Sequence, residues 1–271
     1  MQDVGKKIRL NRILREPGHG SLVVAFDHAM VLGPITGTEN PNEQIRRFAE
    51  SSVDGILLNL GLLRHCSEAL CPGKTPGIIA RIDWTTIWNS LSEGERGVYR
   101  SCMLARPEEA LRLGADAVLT YMVVGTGDAD FETKEVERNA AVSRECERIG
   151  IPLIVETLAR GRDIHDPSDP KWLRLHTRMA AELGADVIKT DYTGDVATMR
   201  SVVQGCPAPI LVLGGSRSPD ALDVVRGAVA AGAAGIFFGR NVFQATNMRE
   251  FLRQARTVLD GASLESEHLR G

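Results

Sequence analysis

The chain has 271 residues, 43% hydrophobic, 25% charged and 5% aromatic, with a net charge of -3; this is length for one large domain or two small ones with a substantial core, and the balance excludes a nucleic-acid surface and a base-stacking platform. The first twenty residues carry charges throughout and lack the apolar core of a signal peptide, and no apolar run reaches the length of a membrane span, so no membrane partner is expected. Five cysteines (Cys66, Cys71, Cys102, Cys146, Cys206), with neither CxxC spacing nor a zinc pattern, read as free thiols of a cytoplasmic protein.

Along the chain, a basic N-terminal segment (residues 1–20) precedes a predicted strand at 21–27, which closes on Asp27-His28. A long connection from Gly33 to Asn42 leads to strands at 55–60, with Asn59, and 77–82, with Arg81 and then Asp83. A second irregular connection covers 84–100. Next come a helix at 106–113, a strand at 116–124 bearing Tyr121, a helix at 133–149, and a strand at 151–157 bearing Glu156. A helix at 169–183 precedes the strand 185–190, which ends in Lys189, and a helix at 195–204 follows it. The strand 209–214 runs into Gly214-Gly215-Ser216. The helix 218–231 opens on Ser218-Pro219-Asp220, which reads as a cap residue with proline at the first position. A strand at 233–238 closes on Gly239-Arg240, a helix at 247–259 follows, and residues 261–271 read as a polar tail.

The strands are rich in Val, Ile and Leu without polar alternation, as strands buried on both faces of a parallel sheet should be. Gly114, Gly150, Gly184 and Gly232 each follow a helix and precede a strand, where helix-terminating glycines belong. Eight strands alternating with helices over residues 21–260 predict one closed (β/α)8 TIM barrel. An open doubly wound sheet is the alternative, but no G-x-G-x-x-G follows an early strand.

In such barrels the chemistry sits at the C-terminal ends of the strands. There the chain offers Asp27, His28, Asn59, Arg81, Tyr121, Glu156, Lys189, Gly214, Gly215, Ser216, Gly239 and Arg240. Lys189 stands out among six lysines and twenty-six arginines because it ends an apolar run. Desolvation disfavours an ammonium and favours the nucleophilic free amine; the opposing reading is a structural lysine paired with Asp186 or Asp191. Asp27 reads either as an acid/base or as a helix cap. Glu156 is a second acid/base if it faces the barrel mouth, or the partner of a buried arginine if it faces a helix. Tyr121 is a possible proton donor to a developing alkoxide, and His28 alone fits a structural histidine equally well. The glycine-bearing loops after the last two strands, with Ser216 and Arg240, fit a phosphate group, since glycine leaves backbone N–H groups uncovered. No metal site is expected.

These residues also carry a family resemblance. The chain resembles the archaeal-type class I fructose-bisphosphate aldolases and their relatives, within the larger group containing deoxyribose-phosphate aldolase. The likeness runs over most of the chain and is strongest in Asp27-His28-Ala29 with Gly33-Pro34 and Gly37, in Val187 to Asp195 around Lys189, in Gly205-Cys206-Pro207, and from Ala231 through Gly239-Arg240-Asn241 to Gln244. The resemblance implies that Lys189 forms a Schiff base with a ketone, that Asp27 assists proton transfer, and that the last two loops hold phosphate, without a metal or other cofactor and in a homo-oligomer. In one place the chain departs. The aldolases carry Tyr-Pro-Arg-Gly, with an acid/base tyrosine, where this chain has Leu158-Ala159-Arg160-Gly161. A thiolase relative acting on a phosphorylated dione also lacks the tyrosine, and a further branch makes amino- or dideoxy-heptulosonates.

The expected function is thus a Schiff-base aldolase of a small phosphorylated ketose, with dihydroxyacetone phosphate as ketone fragment. A thiolase or transaldolase-type transferase is the first alternative, and a non-catalytic phosphate-ligand-binding barrel the second.

Overall fold

The apolar runs become strands in a computed structural model of the chain, which describes residues 4–71, 75–88, 99–161, 164–215, 217, 218 and 220–268. In chain order they are β1 (Ser21–Ala25), β2 (Gly55–Asn59), β3 (Gly77–Arg81), β4 (Asp83–Thr85), β5 (Ser101–Met103), β6 (Ala117–Val124), β7 (Leu153–Ala159), β8 (Val187–Thr190), β9 (Ile210–Leu213) and β10 (Gly235–Phe238). Eight of them close a barrel in the order β1-β10-β9-β8-β7-β6-β3-β2, every neighbour parallel. The expected TIM barrel is therefore the fold.

Each strand buries both faces, which explains the missing polar alternation. One set of residues (Val23, Leu57, Ile79, Leu119, Ile154, Val187, Leu211 and Phe237 among them) fills the barrel interior, closed from below by Ile13. The residues between them, such as Leu22, Ile56, Val118 and Ile188, pack outward against Phe48, Met199 and Leu252 of the surrounding helices. Gly77 opens β3 without a side chain because residues 12 and 13 lie across it: a Cβ there would stand 2.6 Å from Ile13 Cγ1 and 2.9 Å from the Arg12 carbonyl.

The strand starts share a device. Asp54, Asp116 and Asp186 lie just before β2, β6 and β8, and each accepts a backbone N–H from the neighbouring strand: Leu22 (2.8 Å), Ile78 (3.0 Å) and Leu153 (2.8 Å). Cations from outside the sheet then pair with them, Arg15 and Arg256 with Asp54, Arg12 with Asp116 and Lys6 with Asp186. The N-terminal segment, helical over Val4–Leu10, is thereby tied across the floor of the barrel.

The four inter-element glycines all have φ between 70° and 97°, as helix-ending glycines do. Elsewhere the structure corrects the sequence reading. The connection 84–100 begins and ends in an antiparallel hairpin, β4 with β5, too short and polar to show a period. The helix expected from Ser218 starts at Ala221, with Asp220 at its cap position and Ser218 Oγ accepting from the Asp220 N–H at 3.1 Å; Pro219 lies outside the described residues. The last helix runs Met248–His268, through residues read as tail. Among the described residues, no helix is long and apolar enough to cross a membrane.

Candidate active site

Counting by twos along the inward rows, the apolar filling gives way to polar groups at one level. Val23 and Ala25 lead to Asp27, Leu57 to Asn59, Ile79 to Arg81, Leu119 to Tyr121, Ile154 to Glu156 and Val187 to Lys189. Tyr121, Glu156 and Lys189 are direct register partners on β6, β7 and β8. Together with Asp27, His28 and Arg81 they floor a cavity of about 320 Å³ that also touches Gly214, Gly215, Gly239 and Arg240.

Neither sequence-local acid pairs with Lys189. Its Nζ stands 2.9 Å from Glu156 Oε1 and 4.6 Å from the centroid of the Phe237 ring. Asp186 is committed to Lys6 at the opposite end of the barrel, and Asp191 lies 3.7 Å from Arg160. Glu156 faces the barrel mouth rather than a helix, and its other oxygen accepts from Arg81 Nη2, an arginine of the barrel interior. Arg81, 2% exposed, also donates from Nε to Asp27 Oδ2 at 2.9 Å, so one guanidinium holds two carboxylates. Its flat face lies on Tyr121, 3.6 Å from the ring centroid, and Asp83 Oδ1 stands 3.5 Å from Nη1. Asp83 is fixed in turn by Arg138 and by the Tyr121 backbone N–H at 2.7 Å.

Charge sets the protonation of this floor. Burial opposes the Asp27 carboxylate, but the adjacent Arg81 and Lys189 charges outweigh it and hold the pKa down to about 2. Glu156 is likewise pulled below its ordinary value, with burial opposing and Lys189 and Arg81 prevailing. Burial raises Tyr121 well above the usual phenol range despite Arg81, so it stays a neutral donor. Burial lowers His28.

Asp27 is no helix cap, since the cap position of the short helix Ala29–Leu32 falls on His28, which makes no side-chain cap bond. The His28 ring, 3.6 Å from Asp27, packs on Gly239, where a Cβ would come within 2.2 Å of its Cε1. Asn241 staples the two glycine loops together, donating to the Gly214 carbonyl at 2.7 Å and accepting from the Ser218 N–H at 2.8 Å. Arg240 reaches the cavity, and its buried Nε has no partner among the described residues. Ser216 lies outside the described residues. Among the described residues no cluster of three or more His, Cys, Asp or Glu could hold a metal ion; the acids are matched by Arg81 and Lys189 instead. Leu158, where the aldolases that the chain resembles carry their tyrosine, lies on the row of β7 that runs from Glu156 to Arg160 and is fully buried opposite Val123 on β6.

Sequence reasoning placed Arg81 at a strand end without giving it a task, offered Asp191 only as an ion-pair partner of Lys189, and gave Arg160 no place in the site, yet both also line the cavity. The inward two-residue count is the signal that finds all three.

Known proteins similar to this chain include aldolases and related synthases. A family profile described as "DeoC/LacD family aldolase" matches residues 21–245. An uncharacterized aldolase of Saccharolobus solfataricus is 34% identical over 247 residues, 89% of each chain. A 2-amino-4,5-dihydroxy-6-oxo-7-(phosphonooxy)heptanoate synthase of Streptomyces griseus is 32% identical over 243 residues, 89% of this chain and 85% of the other. An archaeal fructose-1,6-bisphosphate aldolase, solved with its catalytic lysine covalently bound to the carbinolamine intermediate, superposes with a TM-score of 0.79 at 30% identity, covering 95% of this chain and 99% of that one.

Proposed function

The chain belongs to the DeoC/LacD family of aldolases, and from that premise we propose that it is a class I enzyme that makes or cleaves a C–C bond in a small phosphorylated ketose through a Schiff base on Lys189. The observation that carries this reading is the setting of Lys189: a buried amine on the cavity floor, 2.9 Å from the Glu156 carboxylate, facing the loop pair at Gly214-Gly215 and Gly239-Arg240.

Arg240 and backbone N–H groups of the two glycine loops anchor the phosphate of a ketone such as dihydroxyacetone phosphate, which fixes its carbonyl over Lys189. The amine adds to the carbonyl, the carbinolamine loses water, and the resulting iminium accepts the electron pair of the adjacent C–C bond. Asp27, held ionised, removes the hydroxyl proton of the leaving aldehyde fragment in cleavage and returns it in synthesis. Glu156 handles protons at the nitrogen and the departing hydroxyl, and Tyr121 and His28 orient the hydroxyls. The scheme calls for no cofactor. We also propose that the enzyme works in the cytoplasm as a homo-oligomer.

A thiolase or transaldolase-type transfer on a phosphorylated dione or ketose is the second reading, favoured by Leu158, an apolar side chain that cannot move a proton where the aldolases have their tyrosine. Borohydride trapping separates them. A reduced adduct at Lys189 with dihydroxyacetone phosphate, together with turnover in a panel of aldehyde acceptors, supports the aldolase. An adduct only with a phosphorylated dione moves the second reading ahead, and no adduct with either sinks imine chemistry.

A further inference from the structure

Arg81 is the unexplained element of the floor. A guanidinium this deep in the barrel carries a desolvation cost, yet four separate groups hold it in place: Asp27 and Glu156 by charge-assisted hydrogen bonds, Asp83 at 3.5 Å, and the Tyr121 ring beneath it. Filling the core does not require it, because β3 could close the same space with an apolar residue, as Leu211 and Phe237 do on β9 and β10. Its fork reaches carboxylates from β1 and β7 at once, a geometry a lysine lacks.

The arrangement matters because Lys189 is ion-paired with Glu156 and must give up a proton before it can attack. We propose that Arg81 is a positioning residue that turns Glu156 into the acid/base standing in for the absent tyrosine, by fixing one Glu156 oxygen so that the other meets Lys189 Nζ. This deepens the aldolase reading and rests on it. Glu156 takes a proton from the Lys189 ammonium; the free amine adds to the ketone; Glu156 supplies the carbonyl oxygen with a proton and recovers one from the nitrogen. Glu156 then protonates the carbinolamine hydroxyl, which leaves as water, and the iminium and the Glu156 carboxylate remain. A carboxyl that a neighbouring guanidinium keeps acidic is a reluctant base but a forceful acid, and expelling hydroxide as water is the step that needs acid strength. Arg81 also prevents Asp27 and Glu156 from sharing a proton, as two carboxylates beside each other otherwise do. The charged and titratable groups facing Glu156 are Lys189 on β8, Arg81 on β3, Asp27 and His28 after β1, Tyr121 on β6 and Asp191 after β8, with Asp83 on β4 behind Arg81 and Arg160 after β7 beside Asp191.

The test is the rate of borohydride-trapped adduct with dihydroxyacetone phosphate as a function of pH, in the full-length chain. Arg81→Lys keeps a charge but cannot span both acids; adduct formation should slow by about ten- to a hundredfold, the concentration dependence on the phosphate should move by less than about threefold, and the acid limb should rise as the carboxylates share a proton. Arg81→Ala should be slower still, with added guanidinium ion restoring at least about tenfold. A wild-type rate and acid limb in Arg81→Lys overturns the proposal, as does a folded Arg81→Ala that is slow, unmoved in its acid limb and deaf to guanidinium. If Arg81→Ala does not fold, Arg81→Lys decides alone. No adduct in the wild type would remove the Schiff-base reading and this one with it.

Discussion

The two ends of the barrel use the same residue types to opposite effect. At the strand starts, Asp54, Asp116 and Asp186 each bind a neighbouring backbone N–H and at least one cation from the N-terminal segment or the last helix. At the strand ends, Asp27, Glu156 and Asp83 converge on a single arginine, and Lys189 shares Glu156 with it. Buried side-chain atoms without a partner separate the ends further. Among the described residues, Asn59 Oδ1 and Arg240 Nε have no hydrogen bond, Arg81 Nη1 and Asp83 Oδ1 meet only as a 3.5 Å ion pair, and no such atom belongs to the strand-start set. Saturated polar valence ties the chain together; unsaturated valence, left where a substrate can meet it, is what chemistry requires.

The sharpest break in that symmetry is Lys189→Met. It should abolish the borohydride adduct and cut turnover by about ten-thousandfold or more, while the melting temperature stays near wild type because Arg81 still neutralises Glu156. A residual adduct at another lysine, or turnover within tenfold of wild type, would refute the assignment. Glu156→Gln comes next, keeping shape and losing the proton carrier. A drop of about a hundred- to a thousandfold in kcat with KM little changed is expected, and a fall confined to KM would move Glu156 out of the proton path.

The strands were legible because their apolar runs record burial on both faces, and all eight fall within a few residues of their expected bounds. The hairpin β4–β5 was not, since three-residue strands with an exposed Cys102 and Met103 carry no period. The identity of the site residues was legible from strand ends, but their pairing was not. Sequence offered Asp186 or Asp191 to Lys189, yet Asp186 lies three residues back along a strand, roughly 10 Å away toward the other end. The true partner is on the adjacent strand, joined by register. Arg81 was opaque for the same reason: the two acids it hydrogen-bonds, Asp27 and Glu156, lie 54 and 75 residues away in sequence.

At the strand starts, Asp54→Ala tests the other half of the comparison. It leaves the Leu22 N–H unbonded and deprives Arg15 and Arg256 of a shared partner. A loss of about 2–3 kcal/mol, read as a melting point lowered by about 5–10 °C, should come with unchanged kcat. A drop in kcat without a stability loss would mean the ends are not functionally separate.

His176 shows what an unsatisfied polar group costs when it serves no chemistry. It sits on the helix Pro170–Glu182 behind β7 and β8, fully buried, with neither ring nitrogen partnered among the described residues. Burial, helped by the Arg160 charge, pushes its pKa from 6.5 down to about 3. Between those values the unfolded chain holds a proton there that the folded chain does not. Stability should therefore fall as pH drops from 6.5 toward 3, by up to ~1.4 kcal/mol per unit. Asp27 adds its own loss only lower, as pH falls from 3.8 through about 2, so the window from 6.5 to 4 is free of it. Urea unfolding across that window should show a flatter pH dependence in His176→Phe than in wild type. Parallel curves would place the acid sensitivity elsewhere and leave the cost of His176 already offset within the helix layer.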